Sequence, residues 1–418
     1  VVHAGSCLRS SPHAGMDDST AVDDALLAWA SGCGVEHSLL RIETRSGRGR
    51  CLVASKSCSE GETLFRVPRA AILVAAGQGK GQDSAWVVSD LADRILSEEA
   101  LGGNSKYAPY VRMLFDPIYK SCDVVECQLF PGCAGAIARG RAAMKLKMID
   151  KLCSSHESLS HEKASFAIEV VSTRAIFCQR NKVLGLVPIF DIMNHEGRPN
   201  ATWSMDEDHQ VTVVARQAIS AGQEITHCYS DESNSELFIT YAFVMDGDGP
   251  HKCVDLLVSL HPPELQRYGT NAKATLRILG NGGIKQRAAA APLLSNARTF
   301  VQQAGDSAPC AAETLVAEAI ARCARAEREQ WLALKDVSTT AGVVALANCN
   351  VSALQELLAR LDTWLSGPMD SALMVALAAA PEPELPATDD EEASTSESEA
   401  NAGAADASGT LPAPPGEA

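Results

Sequence analysis

The sequence predicts an α+β fold in three parts, and three observations carry that expectation. Short strand-like segments with Gly-containing turns occupy about 36–75 and recur over about 177–254. A block with helical period, about 76–176, separates them, and amphipathic helices follow over about 255–380. The β unit, within a domain expected over about 21–254, is thus split by a helical insertion and followed by an all-α domain.

Residues 1–20 are Ser-, Gly- and His-rich without a period and are expected to be disordered. Ala21–Ser31 then reads as a short helix with Leu26, Leu27 and Trp29 as its apolar positions. Strands are expected at Leu39–Thr44, Cys51–Ser55, Thr63–Pro68 and Ala71–Val74, punctuated by the turns Ser46-Gly47-Arg48-Gly49 and Ser59-Glu60-Gly61-Glu62. Trp86, Val87, Leu91 and Ile95 share one helical face, and helical patterns continue at Tyr107–Phe115 and Arg141–Leu152. Strand signals return at Val183–Phe190, Val211–Ala215 and Glu224–Tyr229. Helices are then expected at Glu264–Leu279, Lys285–Gln303, Ala311–Leu334 and Val351–Trp364. There Leu315, Ala319 and Cys323, and then Leu354, Leu357, Leu358 and Leu361, stripe otherwise polar helices in the manner of a bundle. From Pro381 onward the chain is too poor in apolar residues to offset its ordering entropy, and 381–418 is expected to be a disordered acidic tail.

A chain of 418 residues, 46% hydrophobic and 21% charged, can bury a sizeable core. Its formal charge of −16 disfavours a protein that grips nucleic acid backbone, although ten of its acidic residues lie in the tail beyond Pro381. No run of about eighteen apolar residues points to a membrane span. The 14 cysteines include no Cys-x-x-Cys pair, even in the tight group Cys122, Cys127 and Cys133, so scattered thiols are expected rather than a metal site. A monomer in an intracellular compartment is expected. The chain begins with Val rather than Met, which fits a targeting segment that was cut off or not included, so cytoplasm, nucleus and chloroplast stay open.

The chemistry gathers where the apolar run Leu186-Val187-Pro188-Ile189-Phe190 ends in Asp191-Ile192-Met193-Asn194-His195. It continues in Gly222-Gln223-Glu224-Ile225-Thr226-His227-Cys228-Tyr229 and in Tyr241-Ala242-Phe243. Polar groups placed beside a core strand suggest a ligand. Asn194 offers donors and an acceptor that suit the edge of an adenine ring, and Gly47 and Gly49 let backbone approach a ligand closely. Arg174, among Val170, Val171, Ala175 and Ile176, calls for an anion. Each has a plainer reading as well: a β-turn, a capping amide beside a packed histidine, a surface ion pair, a core tyrosine with its hydroxyl satisfied.

Taken in order, Gly47-Arg48-Gly49-Arg50-Cys51-Leu52-Val53-Ala54, the Gly61-Glu62 turn, Ser172-Thr173-Arg174, Asp191 to His195, Gly222 to Tyr229 and Tyr241-Ala242-Phe243 resemble SET-domain methyltransferases. The split β unit, the insertion and the helical C-terminal domain are similar to the Rubisco large-subunit methyltransferase branch. The resemblance spans about 36–370 and implies a β-core with a pseudoknot, a rare exception to the unknotted rule.

It also implies roles. Arg48, Gly49 and Arg50 would contact S-adenosylmethionine largely through backbone. Asn194 and His195 would bind its adenine, His195 mostly through backbone, with Phe243 packed against the ring; Arg174 would bind its carboxylate. Tyr241 matches the catalytic tyrosine, Tyr229 would wall the channel of a target lysine, and Asp191 would line the substrate side or support its loop. Cys51 and Ala242 stand where the family commonly has glycine. His227-Cys228 and Ser230 also differ from its usual residues, and a methyl at 242 beside a tight turn bears on the placement of Tyr241. The expected activity is methyl transfer from S-adenosylmethionine to lysine in a non-histone protein. A protein-binding module without activity and a histidine-directed methyltransferase stay open beside it.

Overall fold

The computed structural model describes residues 2–3, 16–46, 48–75, 84–116, 127–178, 183–247, 249–260, 273–286, 291–303, 311–338 and 340–366. Gly47, most of the N-terminal 15 residues and the acidic tail lie outside them. In chain order, β1 (Val2–His3) and α1 (Met16–Gly32) precede the strands β2 (Leu40–Arg45), β3 (Gly49–Ala54), β4 (Thr63–Val67) and β5 (Leu73–Val74). The insertion contributes α2 (Ser84–Ala100), α3 (Ala108–Leu114), α4 (Gly132–Ser155) and α5 (His161–Arg174). Short strands follow: β6 (Ile176–Cys178), β7 (Val183–Leu186), β8 (Asn194–His195), β9 (Ala201–Met205), β10 (Val211–Ala215) and β11 (Thr226–His227). The chain continues through α6 (Asn234–Tyr241), β12 (Phe243–Val244), β13 (Cys253–Ser259), β14 (Lys273–Leu279), β15 (Ile284–Gln286), α7 (Ala291–Gln303), α8 (Ala311–Val337) and α9 (Ala341–Ser366).

Two-residue periodicity fixes the central sheet. In β10, Val211, Val213 and Ala215 are buried and pair antiparallel with Met205, Trp203 and Ala201 of β9, while β4 covers the other edge. The crossing that builds the site is parallel: Thr226 and His227 of β11 lie beside Asn194 and His195 of β8. The segment before β11 is held on its other side by β3, with Ala54 N–H donating to Gln223 O and Ile225 N–H to Leu52 O. Asn200 locks the crossing, its amide donating to Glu224 O at 2.8 Å and accepting from Thr226 N at 2.9 Å. Asn194 and Tyr229, 35 residues apart in sequence, are thereby brought to one end of the β unit.

Two apolar clusters form. The first joins α1, the strands β2–β5, β7, β9 and β10, and α2, α3, α4 and α5, with Leu26, Leu52, Phe65, Tyr110, Val187 and Phe190 among its buried members. The second is built on α8 and α9, and it reaches back to take Phe130 and Ala134 from the insertion and Phe238, Ala242 and Val244 from α6–β12. The expected boundary near residue 254 is therefore crossed by packing. α9 is long and apolar enough to cross a bilayer by composition. Its face of Val343, Leu346, Leu354, Leu357 and Leu361 is instead buried in the second cluster.

Three expectations at the level of elements change. The helix expected at Glu264–Leu279 is, from Lys273 on, a strand: Ala274, Leu276 and Ile278 are buried at alternate positions and β13 pairs along its full length. Period-2 burial there outweighs the helix-forming Ala and Leu. Lys285 belongs to β15, and the described part of the helix expected from it is Ala291–Gln303. Within the segment expected to be disordered, Val2–His3 pairs antiparallel with Val244 and Phe243, and α1 starts at Met16.

Candidate active site

The turn between β2 and β3 is closed against the loop before β8 by one side chain. Asn194 Nδ2 lies 2.8 Å from Glu224 Oε1 and 3.1 Å from Arg50 O, with Arg48 O and Cys51 Sγ at 3.3 Å. All four neighbours can accept, which fixes the amide orientation, and its two hydrogens are used. Asn194 Oδ1 has no partner among the described residues. Glu224 also receives Arg48 Nε and Nη2 at 3.0–3.1 Å, so a single carboxylate holds both the turn and the asparagine. Gly49, at φ 68°, supplies the left-handed turn with open space where a side chain would stand.

Arg50 presents its backbone carbonyl to Asn194. Its guanidinium is fully buried and paired to Asp23 at 2.8 Å and Asp116 at 2.6 Å, fastening the hairpin to α1 and to the segment after α3. The Cys51 thiol is enclosed, and burial, reinforced by Glu224, pushes it up to about 11, so it stays protonated beside Asn194.

The loop that delivers Asn194 starts from a strained residue. Ile189, β-branched and fully buried, has φ 71° and ψ −46°, near a γ-turn that costs a β-branched residue of order 1–3 kcal/mol. The turn swings the chain out of the apolar run into Asp191, whose carboxylate is fully enclosed. Asp191 Oδ2 accepts from Tyr110 Oη at 2.9 Å and meets Arg174 Nη1 at 3.5 Å, while Asp191 O accepts from the same nitrogen at 2.8 Å.

Asp191 thereby ties its loop to α3 and α5. Its Oδ1 is buried without a hydrogen-bond partner among the described residues, and burial raises its pKa. Arg174 meets its anion inside the protein, so a ligand carboxylate would have to share the guanidinium with Asp191.

His195 is buried, and its hydrogen bonds define its tautomer. Tyr229 N–H donates to Nδ1 at 2.9 Å, so the ring proton sits on Nε2, 3.2 Å from Nε2 of His251; His251 Nδ1 in turn donates to Glu232 O at 2.7 Å. Burial, with His251 and His227 nearby, holds the His195 pKa down at about 3, so the ring stays neutral and is no general base.

Tyr229 Oη donates to Met193 O at 2.8 Å, and its ring lies 4.9 Å from that of Tyr241. Phe243 stands 5.4 Å from His195 and stacks on Tyr241 at 5.9 Å. Tyr241 ends α6, a helix started by a capping box in which Ser233 Oγ accepts from Glu236 N, and Ala242 closes it in the left-handed region at φ 61°.

The structure thus brings Arg48, Gly49, Arg50, Asn194, His195, Tyr229, Tyr241 and Phe243 to one site. Three residues given no role from sequence join it: Glu224, Tyr110 and His251. Glu224 stood inside a quoted motif, but neither Tyr110 nor His251 carries a local signal, because each acts across more than fifty residues.

His195, Cys228 and His251 place ligand atoms within 4.8 Å of one another. A cation on His195 Nε2 requires the ring proton on Nδ1, where Tyr229 N–H already points. Burial pushes the Cys228 thiol up to about 12, against the thiolate a metal needs. The cluster is a hydrogen-bond chain.

A SET domain family model matches residues 49–230. The chain carries a SET domain. At the level of fold, the chain is similar to the SET domain of LSMT bound to lysine and AdoHcy, with a TM-score of 0.60 and 15% identity, covering 85% of this chain and 95% of that one. The structure of Rubisco LSMT bound to AdoMet gives 0.58 and 16% over the same shares.

Among sequence relatives, SET domain-containing protein 4 of Homo sapiens is 21% identical over 264 residues, 55% of this chain and 59% of that protein. The actin-histidine N-methyltransferase of Drosophila melanogaster is 22% identical over 286 residues, 58% and 53% of the two. The ribosomal lysine N-methyltransferase set10 of Schizosaccharomyces pombe is 25% identical over 99 residues, 23% and 18%. The chain spans less than two thirds of the length of each of these relatives.

Proposed function

We propose that the chain transfers the methyl group of S-adenosylmethionine to the side-chain amine of a lysine in a non-histone protein. The observation that carries this reading is the convergence of Tyr229 and Tyr241, with rings 4.9 Å apart, beside a turn that Asn194 and Glu224 hold closed. The residues fit the cofactor: Asn194 Oδ1 is an acceptor without a partner among the described residues, and the backbone of Arg48 and Gly49 is presented by a turn with open space at Gly49.

Bound there, the cofactor supplies an electrophilic methyl group on a sulfonium. The chain's own residues supply placement. Asn194 Oδ1 accepts from a cofactor donor, Phe243 and the His195 backbone wall the adenine, and Tyr241 orients the incoming amine. Tyr229 spends its proton on Met193 O, so its oxygen faces the channel as an acceptor. A lysine of ordinary pKa near 10.4 costs about 4–5 kcal/mol to deprotonate at pH 7, and a narrow channel facing a positive sulfonium lowers that cost. His195, neutral and with both nitrogens engaged, takes no proton from it.

A histidine acceptor is the second reading, supported by the Drosophila relative that acts on actin histidine. The deciding experiment incubates the purified chain with methyl-labelled S-adenosylmethionine and a desalted cell lysate, then hydrolyses the labelled protein. Methyl-lysine is expected, and methyl-histidine shifts the assignment to the second reading. A chain that shows no affinity for the cofactor by calorimetry defeats both.

A further inference from the structure

We propose that His251 is a positioning residue of this site: by accepting the Nε2 proton of His195 it keeps that ring oriented to receive the backbone N–H of Tyr229, and so sets the Tyr229 ring against Tyr241. For its effect on turnover this rests on the methyl-transfer reading; as geometry it stands alone.

The hydrogen bonds run in one direction without conflict. Tyr229 N–H points to His195 Nδ1 at 2.9 Å, His195 Nε2–H to His251 Nε2 at 3.2 Å, and His251 Nδ1–H to Glu232 O at 2.7 Å. Each imidazole is one donor and one acceptor, so the last acceptor, a backbone carbonyl, sets the tautomer of both rings. The backbone N–H at the far end belongs to the residue whose hydroxyl reaches Met193 O and whose ring faces Tyr241.

His251 is itself wedged. It is buried, its ring meets that of His195 edge-on at 4.8 Å, and its carbonyl accepts from Asn234 N at the start of α6. A Cβ at Gly197 would come within 3.2 Å of its Cδ2 and Nε2, so the residue facing the ring is one with no side chain. His251 therefore touches both the segment that carries Tyr229 and the helix that carries Tyr241, while contacting neither reacting group. Without an acceptor there, a buried N–H on His195 is left unmade, and the ring turns away from Tyr229 to satisfy it.

The test has a spectroscopic and a functional part. In the 15N-labelled full chain at neutral pH, the imidazole spectrum is expected to show the His195 proton on Nε2 and the His251 proton on Nδ1. The opposite tautomer at either ring overturns the proposal, as does a stoichiometric zinc ion whose removal by chelator changes these signals. For function, His251→Gln places a carbonyl oxygen where Nε2 stood, and His251→Leu fills the space with no acceptor.

With labelled cofactor and desalted lysate, His251→Leu is expected to lose roughly ten- to hundredfold in turnover, the scale of an ångström's misplacement, with cofactor affinity nearly unchanged. His251→Gln is expected to recover most of that loss. Full turnover in His251→Leu, or equal loss in both variants, overturns the proposal. Should His251→Leu not fold, the spectrum and His251→Gln decide. A wild-type chain that does not bind the cofactor removes the methyl-transfer reading instead, and the spectrum then decides the hydrogen-bond chain by itself.

Discussion

The two halves of the candidate site are built on different cores. Asn194, His195 and Glu224 are set by β8, β11 and β3, and the apolar residues behind them, Leu52, Val187, Ile192, Met193 and Ile225, belong to the first cluster. Tyr241 ends a helix whose Phe238, followed by Ala242 and Val244, packs with Trp331 and Leu357 in the second cluster. The cofactor half is specified by hydrogen bonds between segments distant in sequence, and the tyrosine half by one capped helix resting on a helical bundle. Cofactor affinity and methyl transfer are therefore separable by mutation. Between the halves run the Tyr229 hydroxyl on Met193 O, the hydrogen bonds from Tyr229 through His195 and His251 to Glu232, and the ring contacts of Tyr229 with Tyr241 and of His195 with Phe243.

The largest expected effect tests this division directly. Leu64→Ala in the first core and Leu357→Ala in the second each remove a fully or almost fully buried side chain, and each should destabilise by about 2–5 kcal/mol in urea unfolding. At a temperature where both variants stay folded, Leu64→Ala should weaken cofactor binding more than turnover at saturation, and Leu357→Ala the reverse. Identical kinetic signatures in the two would show that the cores do not act separately.

Tyr241→Phe is next. Removing one hydroxyl from the methyl-transfer end should lower turnover by roughly a hundredfold or more while leaving cofactor affinity within about twofold. Tyr229→Phe also frees Met193 O and so loosens the loop before Asn194. It should weaken both quantities, which makes it the control for a residue belonging to both halves. Label transfer unchanged in Tyr241→Phe removes its assigned role.

Much of this could be read from the chain itself. The apolar run before Asn194, the Gly turn and the paired tyrosines placed the site's main parts, and alternating Val211, Val213 and Ala215 gave the central sheet. Three things were out of reach, each for a physical reason. β14 reads as helix because its Ala and Leu suit either element, and only the partner strand β13 decides. The boundary near residue 254 is blurred because Phe238 and Ala242 pack forward, into helices that the sequence places a hundred residues later. The ion pair of Arg174 with Asp191 and the bond between Asn194 and Glu224 follow from tertiary geometry and leave no spacing to read.

Acidity gives a smaller handle on the joint. Burial lowers His195 and His227 from 6.5 to about 3, so as pH falls the unfolded chain takes up protons before the folded one. Their contribution to stability is complete above about pH 6.5. It declines towards pH 3 at about 1.4 kcal/mol per pH unit for each histidine. Glu327 runs the other way: burial raises it from 4.5 to about 7, so the folded state gains relative stability as pH falls through that window. The informative quantity is therefore a difference in slope. His227→Gln, a change at a ring that meets Phe190 and Tyr229, should reduce the slope of stability against pH between about 6.5 and 4.5 by about 1.4 kcal/mol per unit. No change of slope in that variant would mean the ring is not held neutral by burial.

The smallest effect concerns Ala242, the residue that follows Tyr241 and closes α6. Ala242 takes φ 61°, ψ 29° to end α6, a conformation that disfavours a residue with a Cβ by roughly 1 kcal/mol relative to glycine. The cost is carried because its methyl is buried in the second core beside Phe238 and its N–H closes on Phe238 O at 2.9 Å. Ala242→Gly relieves the strain and loses that methyl's burial, worth about 0.8 kcal/mol, and it also loosens the unfolded chain. The net change in stability should therefore lie within about 1 kcal/mol of zero. Turnover separates the two possible roles of the methyl. If Ala242 displaces Tyr241, glycine should raise turnover by severalfold with cofactor affinity unchanged. If instead the methyl anchors α6 on the helical core, turnover should fall, and the loss should deepen when Leu357→Ala is combined with it.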